Sequence, residues 1–198
     1  MELGFTYSFG QTPISHEERE GLCIQTISTR GELDEFEQEN IQSAVEWTLK
    51  QKFTKEKILT IDFIKTVHKQ MFNQVWKWAG TFRTSNKNLG VDKSRIIEEL
   101  KILLDDCQYW IEHRTYPPDE IAIRFKHRMV SIHPFPNGNG RHSRLCSDIV
   151  ISHVFNERVF SWGALHLAST VESRQHYLNT IRKADEGDIE PLLRFARS

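Results

Sequence analysis

This chain of 198 residues has no large excess of positive or negative charge, few cysteines and no long hydrophobic run. Its 26 lysines and arginines are balanced by 27 aspartates and glutamates, so no basic excess calls for a nucleic-acid partner. No apolar run approaches the roughly 20 residues of a membrane-spanning helix, and the N-terminus lacks the pattern of a secretory signal. We therefore expect a cytoplasmic protein that binds neither nucleic acid nor a membrane.

Cysteine is represented by only three widely spaced residues. The odd number and the absence of a C-x-x-C pair argue against a disulfide framework, and no His/Cys/carboxylate cluster has zinc spacing. Cys107 and Cys146 fall on the apolar faces of predicted helices, so we expect buried thiols there. The length suits one well-buried domain and is too short for two.

Hydrophobic periodicity predicts a chain made of helices. One helix is indicated by Phe36, Ile41, Ala44, Val45 and Leu49, a second begins near Thr60 and carries Ile64, Val67, Met71 and Val75, and a third carries Ile97, Leu100, Leu104, Cys107 and Ile111. Asp119, after two prolines, is a start signal for a fourth helix. We expect His68, near the apolar stripe of the second helix, to be a structural histidine rather than a ligand.

Residues 131–144 hold the densest chemistry of the chain. Pro134 disfavours helical geometry for His133, so the fourth helix should end there and leave the imidazole at the mouth of a loop. Gly138 and Gly140 allow the backbone to turn tightly and to come close to a ligand. Successive N–H groups at the start of the next helix form an anion site.

Two arginines follow these glycines. Arg141 and Arg144 are three residues apart, so on a helix they share one face beside the anion site. Two fixed guanidinium groups suit a polyphosphate better than a single carboxylate. Together with His133, the pattern predicts a phosphate pocket with a general base at its edge.

This ordered set resembles the motif of the Fic-domain family, His-x-Phe-x-Asp/Glu-Gly-Asn-Gly-Arg-x-x-Arg. Seven of its eight defined positions match: His133, Phe135, Gly138, Asn139, Gly140, Arg141 and Arg144. The eighth is Asn137, where the family usually has an acidic residue. The resemblance extends from about Phe36 to Phe195, and it implies an all-α Fic-domain helical bundle with a short β-hairpin flap. We expect one globular unit, with residues 1–35 as an N-terminal arm and residues 36–198 as the Fic domain.

The resemblance implies a protein adenylyltransferase, which transfers AMP from ATP to a Ser, Thr or Tyr hydroxyl of a target protein. It assigns the general base to His133 and phosphate binding to Gly138, Asn139, Gly140, Arg141 and Arg144. Asn139 would bond either within the loop or to a phosphate. Mg²⁺ would bridge the phosphates, and Asn137 would be a weak ligand for it, because an amide oxygen brings no negative charge.

Three further roles are implied, each beside a plainer structural interpretation. Tyr177 would contact the adenine and ribose, or it belongs to the core. A flap would dock the target chain, or it is an ordinary surface loop; its residues are Asn86, Lys87, Asn88, Leu89 and Gly90. Ser28 and Glu32 have the spacing of the family's inhibitory Ser/Thr-x-x-x-Glu-Gly/Asn segment, whose glutamate would bind Arg144. Thr29-x-x-Glu32 also fits a helix capping box, and the two interpretations are compatible.

Other uses of the same pocket stay open. Relatives whose loop carries Ala and Lys transfer the terminal phosphoryl group, and Gly138 and Arg141 argue against that variant here. Removal of AMP would depend on Glu32. A catalytically silent nucleotide-binding protein is motivated only by Asn137. A separate antitoxin and a homo-oligomer are both compatible with the sequence.

Overall fold

A computed structural model describes residues 20–27, 29–163 and 170–198, with the backbone alone for residues 170–174. The all-α expectation is confirmed. The helices are α1 (Arg30–Leu49), α2 (Lys55–Ile58), α3 (Ile61–Phe72), α4 (Ile96–His113), α5 (Pro118–Ile132), α6 (Asn139–Ile149), α7 (Thr170–Asp185) and α8 (Glu190–Arg197). A 3₁₀ turn (Lys93–Arg95) leads into α4, and a π turn (Val150–Val154) follows α6.

Threonine side chains begin the first three helices. Thr29, Thr54 and Thr60 each accept a hydrogen bond from a backbone N–H of the first helical turn. At α1 the arrangement is reciprocal, because the Glu32 carboxylate accepts the Thr29 N–H at 3.0 Å. The predicted capping box at Thr29 and Glu32 is therefore confirmed.

The helices pack around a single core. Helix α1 lies on α3, α5 lies against both α4 and α6, and α8 packs on α7 and α5. Trp76, Phe72, Phe125 and Phe135 are among the largest side chains that are fully buried. The segment before α1 joins this core through an isolated antiparallel bridge between Leu22 and Trp76. The motif loop thus connects two helices, α5 and α6, that are buried on several sides.

Of the apolar residues that predicted α1, Ala44 is buried and Ile41 packs against the core, but the other three are exposed. Phe36 and Val45 are about two-fifths exposed, and Leu49 is 78% exposed. The face that packs inward consists of Leu33, Glu37, Asn40, Ala44 and Thr48. The polar members of this face are hydrogen-bonded: the amide of Asn40 donates to the Gln70 carbonyl at 2.9 Å and accepts the Gln74 N–H at 2.9 Å. Such partners allow polar groups to be buried without a large desolvation penalty.

Helix α4 shows a smaller difference, since Ile96 is buried and Ile97 is 53% exposed. The expectation for the two cysteines is confirmed: Cys107 and Cys146 are buried, free thiols. Burial raises the pKa of Cys107 to about 12, so this thiol stays protonated at neutral pH.

The N-terminal arm is only partly described, because residues 1–19 and 28 lie outside the described ranges. Helix α1 runs without a break across the expected boundary between residues 35 and 36. None of the helices in the described ranges is both long and apolar enough to span a bilayer. Across the same residues, no three His, Cys, Asp or Glu side chains are grouped as metal ligands would be.

Candidate functional site

His133 ends helix α5, as Pro134 predicts. Its backbone is left-handed, with φ 54° and ψ 57°, and its N–H still bonds to the Met129 carbonyl at 3.3 Å. The side chain is 6% exposed. A left-handed histidine at a helix end is an uncommon conformation, and such residues occur often at functional sites.

The environment of His133 keeps its imidazole neutral. Burial, followed by the positive charges of Arg83 and Lys87, lowers the pKa of His133 to about 4, against a smaller opposite effect of a hydrogen bond with the Val130 backbone. The Nε2 atom is buried and has no hydrogen-bond partner among the described residues. A neutral imidazole with an unoccupied nitrogen can accept a proton, which is what a general base requires.

The loop after His133 is braced from within by Asn139. Its side-chain oxygen accepts the Phe135 N–H at 2.9 Å, and its amide nitrogen donates to the Phe135 carbonyl at 2.8 Å. With the side chain 3% exposed and engaged at both ends, Asn139 bonds within the loop, which is one of the two alternatives that the sequence left open. Phe135 is fully buried, so this pair anchors the loop to the core.

His68 braces the same loop from α3. Its Nδ1 accepts the Gly80 N–H at 3.0 Å, so the proton resides on Nε2, which donates to the Asn137 carbonyl at 3.1 Å. The ring stacks on Phe135 with 3.7 Å between centroids. Burial and the nearby His142 hold the pKa of His68 well below its usual value. The prediction of a structural histidine is confirmed.

The two motif glycines meet different surroundings. Gly138 has φ 77°, and a Cβ built on it would lie 2.5 Å from Cζ of Phe72, so the fold itself requires glycine here. Gly140 has nothing within 4 Å of such a Cβ. A Cβ at position 140 would therefore point into open space, so packing does not require a glycine there.

The start of α6 offers unsatisfied backbone donors beside this space. No side chain caps the helix. The N–H of Gly138 bonds to the Asn137 side-chain oxygen at 2.6 Å, and the following amides of Asn139, Gly140 and Arg141 form the first helical turn. The first N–H groups of a helix have no partners within it, and the helix dipole adds positive potential. The predicted anion site therefore has suitable backbone geometry.

Arg141 has a partner that the sequence analysis missed. Its Nη1 lies 2.7 Å from Oε2 of Glu37, a fully buried carboxylate of α1. The other oxygen of Glu37 accepts the indole N–H of Trp76 at 2.6 Å. The only sequence signal for Glu37 is its helical spacing from Leu33 and Ala44, which places it on the same face of α1.

Arg144 contacts a different helix from Arg141. Its guanidinium carbon lies 4.6 Å from the ring centroid of Tyr177, and the ammonium of the fully buried Lys126 lies 4.5 Å from the same centroid. Burial raises the pKa of Tyr177, but the positive charges of Lys126 and Arg144 outweigh this effect and the net pKa is lowered. Tyr177 is thus a core residue beside Arg144, and Lys126 is a second cation that the sequence analysis missed.

Among the described residues, neither Arg144 nor Lys126 forms an ion pair with a carboxylate. The Nε atom of Arg144 and the Nζ atom of Lys126 are buried and have no hydrogen-bond partner in the described part of the chain. The Glu32 carboxylate accepts the Thr29 N–H of the capping box, and its pairing with Arg144 stays a prediction. Ser28, the other residue of the expected inhibitory segment, lies outside the described residues.

The expected β-hairpin flap is a loop instead. Residues 81–92 contain no strand pairing. The physical reason is the buried Arg83, which takes carbonyl groups that cross-strand bonds would otherwise use: it donates to Ser85 at 2.9 Å and also to Val91. A further hydrogen bond joins the two ends of the loop: the side-chain amide of Asn86 donates to the carboxylate of Asp92 at 2.7 Å.

This loop nevertheless lies over His133. The Nε atom of Arg83 donates to the His133 carbonyl at 2.7 Å, and its backbone N–H bonds to the Pro134 carbonyl at 3.0 Å. A Cβ built on Gly90 would be 2.6 Å from Cβ of His133. Leu89, beside it, is 62% exposed. The loop thus covers one side of the imidazole and presents an apolar side chain outward.

The residues present fit a magnesium ion poorly. Asn137 is the only motif residue at the position expected for a metal ligand, and its side-chain oxygen already accepts the Gly138 N–H. Mg²⁺ favours carboxylate and phosphate oxygens, and the loop from His133 to Arg144 contains no carboxylate. A bound Mg²⁺ would depend mainly on phosphate oxygens and water.

The family described as Fic/DOC matches residues 58–151, which include the whole motif. The relative named protein adenylyltransferase Fic from Aedes aegypti is 26% identical over 196 residues, which is 97% of this chain and 37% of the relative. The chain thus spans little more than a third of that protein's length.

Solved structures show the same fold. Fic-1 from Caenorhabditis elegans superposes with a TM-score of 0.63 and 26% identity, over 80% of this chain and 46% of that one. The N-terminal Fic domain of a VirB-translocated Bep effector from Bartonella quintana, with bound ADP, gives a TM-score of 0.70 at 15% identity. That match covers 92% of this chain and 94% of the other.

Proposed function

We propose that this chain is a Fic/DOC-family protein and that it transfers AMP from ATP to a Ser, Thr or Tyr hydroxyl of a target protein. Two neighbouring features support this proposal most directly. The Nε2 atom of a neutral His133 has no hydrogen-bond partner among the described residues, and an uncapped helix start follows it within six residues. The names of the relatives, protein adenylyltransferases, support the same reaction.

The chemistry follows from these groups. Nε2 of His133 takes the proton of the target hydroxyl as its oxygen bonds to the α-phosphorus of ATP. The bond from that phosphorus to the bridging oxygen breaks, and pyrophosphate leaves. Because the pKa of His133 is about 4, the base is already deprotonated at neutral pH.

The phosphates need positive potential as charge shifts toward the leaving group. The amides of Asn139, Gly140 and Arg141 at the start of α6 supply it, and the open space at Gly140 lets phosphate oxygens approach the backbone. Arg144, with a buried Nε that lacks a partner among the described groups, would bind the terminal phosphate. Asn139 keeps the loop in shape.

Magnesium would help by neutralising phosphate charge. The ion would be held mainly by the phosphates, with Asn137 as at most a weak ligand, and no step depends on a protein carboxylate. The loop of residues 81–92 would orient the target chain beside His133, with Leu89 as an exposed apolar contact.

The test uses the purified chain and ATP labelled in parallel at the α- or the γ-phosphate, with self-modification as the readout. We expect retention of the α-label alone, and its loss in His133→Asn. Asparagine tolerates the left-handed backbone of position 133 and cannot act as the base. Retention of the γ-label would instead establish phosphoryl transfer, and ATP binding without either label would support a silent nucleotide-binding protein.

A further inference from the structure

The buried carboxylate of Glu37 connects the core to the motif. Its Oε2 lies 2.7 Å from Nη1 of Arg141, and its Oε1 accepts the Trp76 indole N–H at 2.6 Å. Glu37 is 0% exposed and Trp76 is 1% exposed. The carboxylate thus has a hydrogen bond at one oxygen and an ion pair at the other, and breaking the ion pair would leave an uncompensated buried charge.

Arg141 is fixed on a second side by an aromatic ring. Its guanidinium carbon lies 5.1 Å from the ring centroid of Phe72, within the range of a cation–π contact. The same ring is the surface against which Gly138 packs. The side chain of Arg141 is 33% exposed, and its contact with Glu37 is an ion pair by distance, since Oε2 of Glu37 has no partner with hydrogen-bond geometry among the described residues.

We infer that Glu37 is a positioning residue, which holds the guanidinium of Arg141 beside the phosphate loop so that its remaining donors can bind ATP phosphates. An arginine has five N–H donors, so one ion pair leaves several for a ligand. Glu37 itself would touch neither nucleotide nor target. This inference rests on the proposed function and adds a residue of α1 to the site.

The experiment measures KM for ATP and kcat of self-modification in Glu37→Gln. Glutamine keeps the volume and an acceptor for Trp76 but removes the charge that fixes Arg141. We expect KM for ATP to rise about tenfold, because misplacing a binding group by about an ångström can weaken its action by up to about a hundredfold. Glu39→Gln is the matched control, since Glu39 is exposed on the same helix.

A double-mutant cycle separates positioning from folding. If Glu37 acts through Arg141, Glu37→Gln adds nothing to KM in an Arg141→Gln background. An equal increase in both backgrounds would overturn the inference, and so would a KM equal to that of the control. Higher activity in Glu37→Gln would also overturn it, because the carboxylate would then be competing with the phosphates.

If Glu37→Gln does not fold, a second variant tests the same inference. Trp76→Phe keeps an aromatic ring but removes the donor to Glu37, so it should raise KM for ATP in the same direction while circular dichroism shows an intact helical fold. No change in KM there would contradict the inference. If the wild-type chain neither binds ATP nor modifies itself, the proposed function fails. If the wild type does both, and Glu37→Gln and Trp76→Phe have the same KM as Glu39→Gln, the inference about Glu37 alone fails.

Discussion

Gly90 lies directly against His133: a Cβ added to Gly90 would be 2.6 Å from Cβ of the histidine, which is closer than real Cβ atoms approach. The φ of Gly90 is 97°, a conformation that side chains rarely adopt. The loop of residues 81–92 therefore contacts His133 through a position that only glycine fits.

Gly90→Ala should lower self-modification strongly, because the loop or the imidazole has to move. The backbone strain alone is about 1–3 kcal/mol. Activity and melting temperature are compared with those of Gly31→Ala, where an added Cβ meets only the Thr29 hydroxyl at 4.0 Å. If Gly90→Ala had the kcat of the wild type, the contact between Gly90 and His133 would not affect catalysis.

Alanine substitutions at the two motif glycines should have different effects on stability and on ATP binding. Gly140→Ala meets no atom within 4 Å and replaces a helical glycine, so stability should hold or rise by roughly 0.5–1 kcal/mol. ATP binding should nevertheless fall, because the methyl group fills the space left for phosphates. Gly138→Ala should instead destabilise the protein, since its Cβ would strike Phe72. Calorimetric ATP titration and thermal melting distinguish the two; unimpaired ATP binding by Gly140→Ala would remove the ligand from that space.

Stability should fall as the solution becomes acidic. Burial lowers the pKa of His133 and of His142 to about 4 each, and that of His68 also lies well below its usual value. Below about pH 6.5 the unfolded chain takes up protons that the folded chain does not, so the free energy of unfolding drops as pH falls from about 6.5 toward 4.

Urea unfolding at pH 7, 6 and 5 measures this slope. His142→Gln should reduce it by about one proton, or about 1.4 kcal/mol per pH unit at most, because His142 is fully buried. His113→Gln, at an exposed position, should leave the slope unchanged. An equal slope in all three proteins would mean that the buried histidines are not the cause.

Asn137→Asp should lower the magnesium concentration needed for half-maximal self-modification. An aspartate can still accept the Gly138 N–H, and its charge favours both Mg²⁺ and the start of a helix. Self-modification is measured over a magnesium titration in both proteins. The same half-saturation in both would mean that position 137 does not contact the ion.

The sequence predicted what depends on local pattern. Proline after His133 ended α5, and the glycines after it led into an uncapped start of α6, where the anion site stays a prediction. Glu37 escaped notice because periodicity analysis assigns apolar residues to the core, whereas this face of α1 buries a glutamate and Asn40. Their stability depends on partners such as Trp76, which is distant in sequence and becomes a neighbour only in the fold.

The flap was misjudged for a related reason. The family resemblance implied the hairpin, and Asn88 and Gly90 suit the turn that a hairpin needs. What decides the conformation is Arg83, whose guanidinium bonds to three backbone carbonyls and so replaces strand pairing. A single buried arginine with several main-chain acceptors leaves no periodic trace in a sequence.

The identity of the leaving group tests the central claim most directly. Purified wild-type protein and His133→Asn are incubated with ATP and magnesium, and the released product is separated by ion-exchange chromatography. The account predicts pyrophosphate in proportion to AMP retained on the protein, and neither product with His133→Asn. Release of ADP with phosphate retained on the protein, or unchanged pyrophosphate release by His133→Asn, would contradict it.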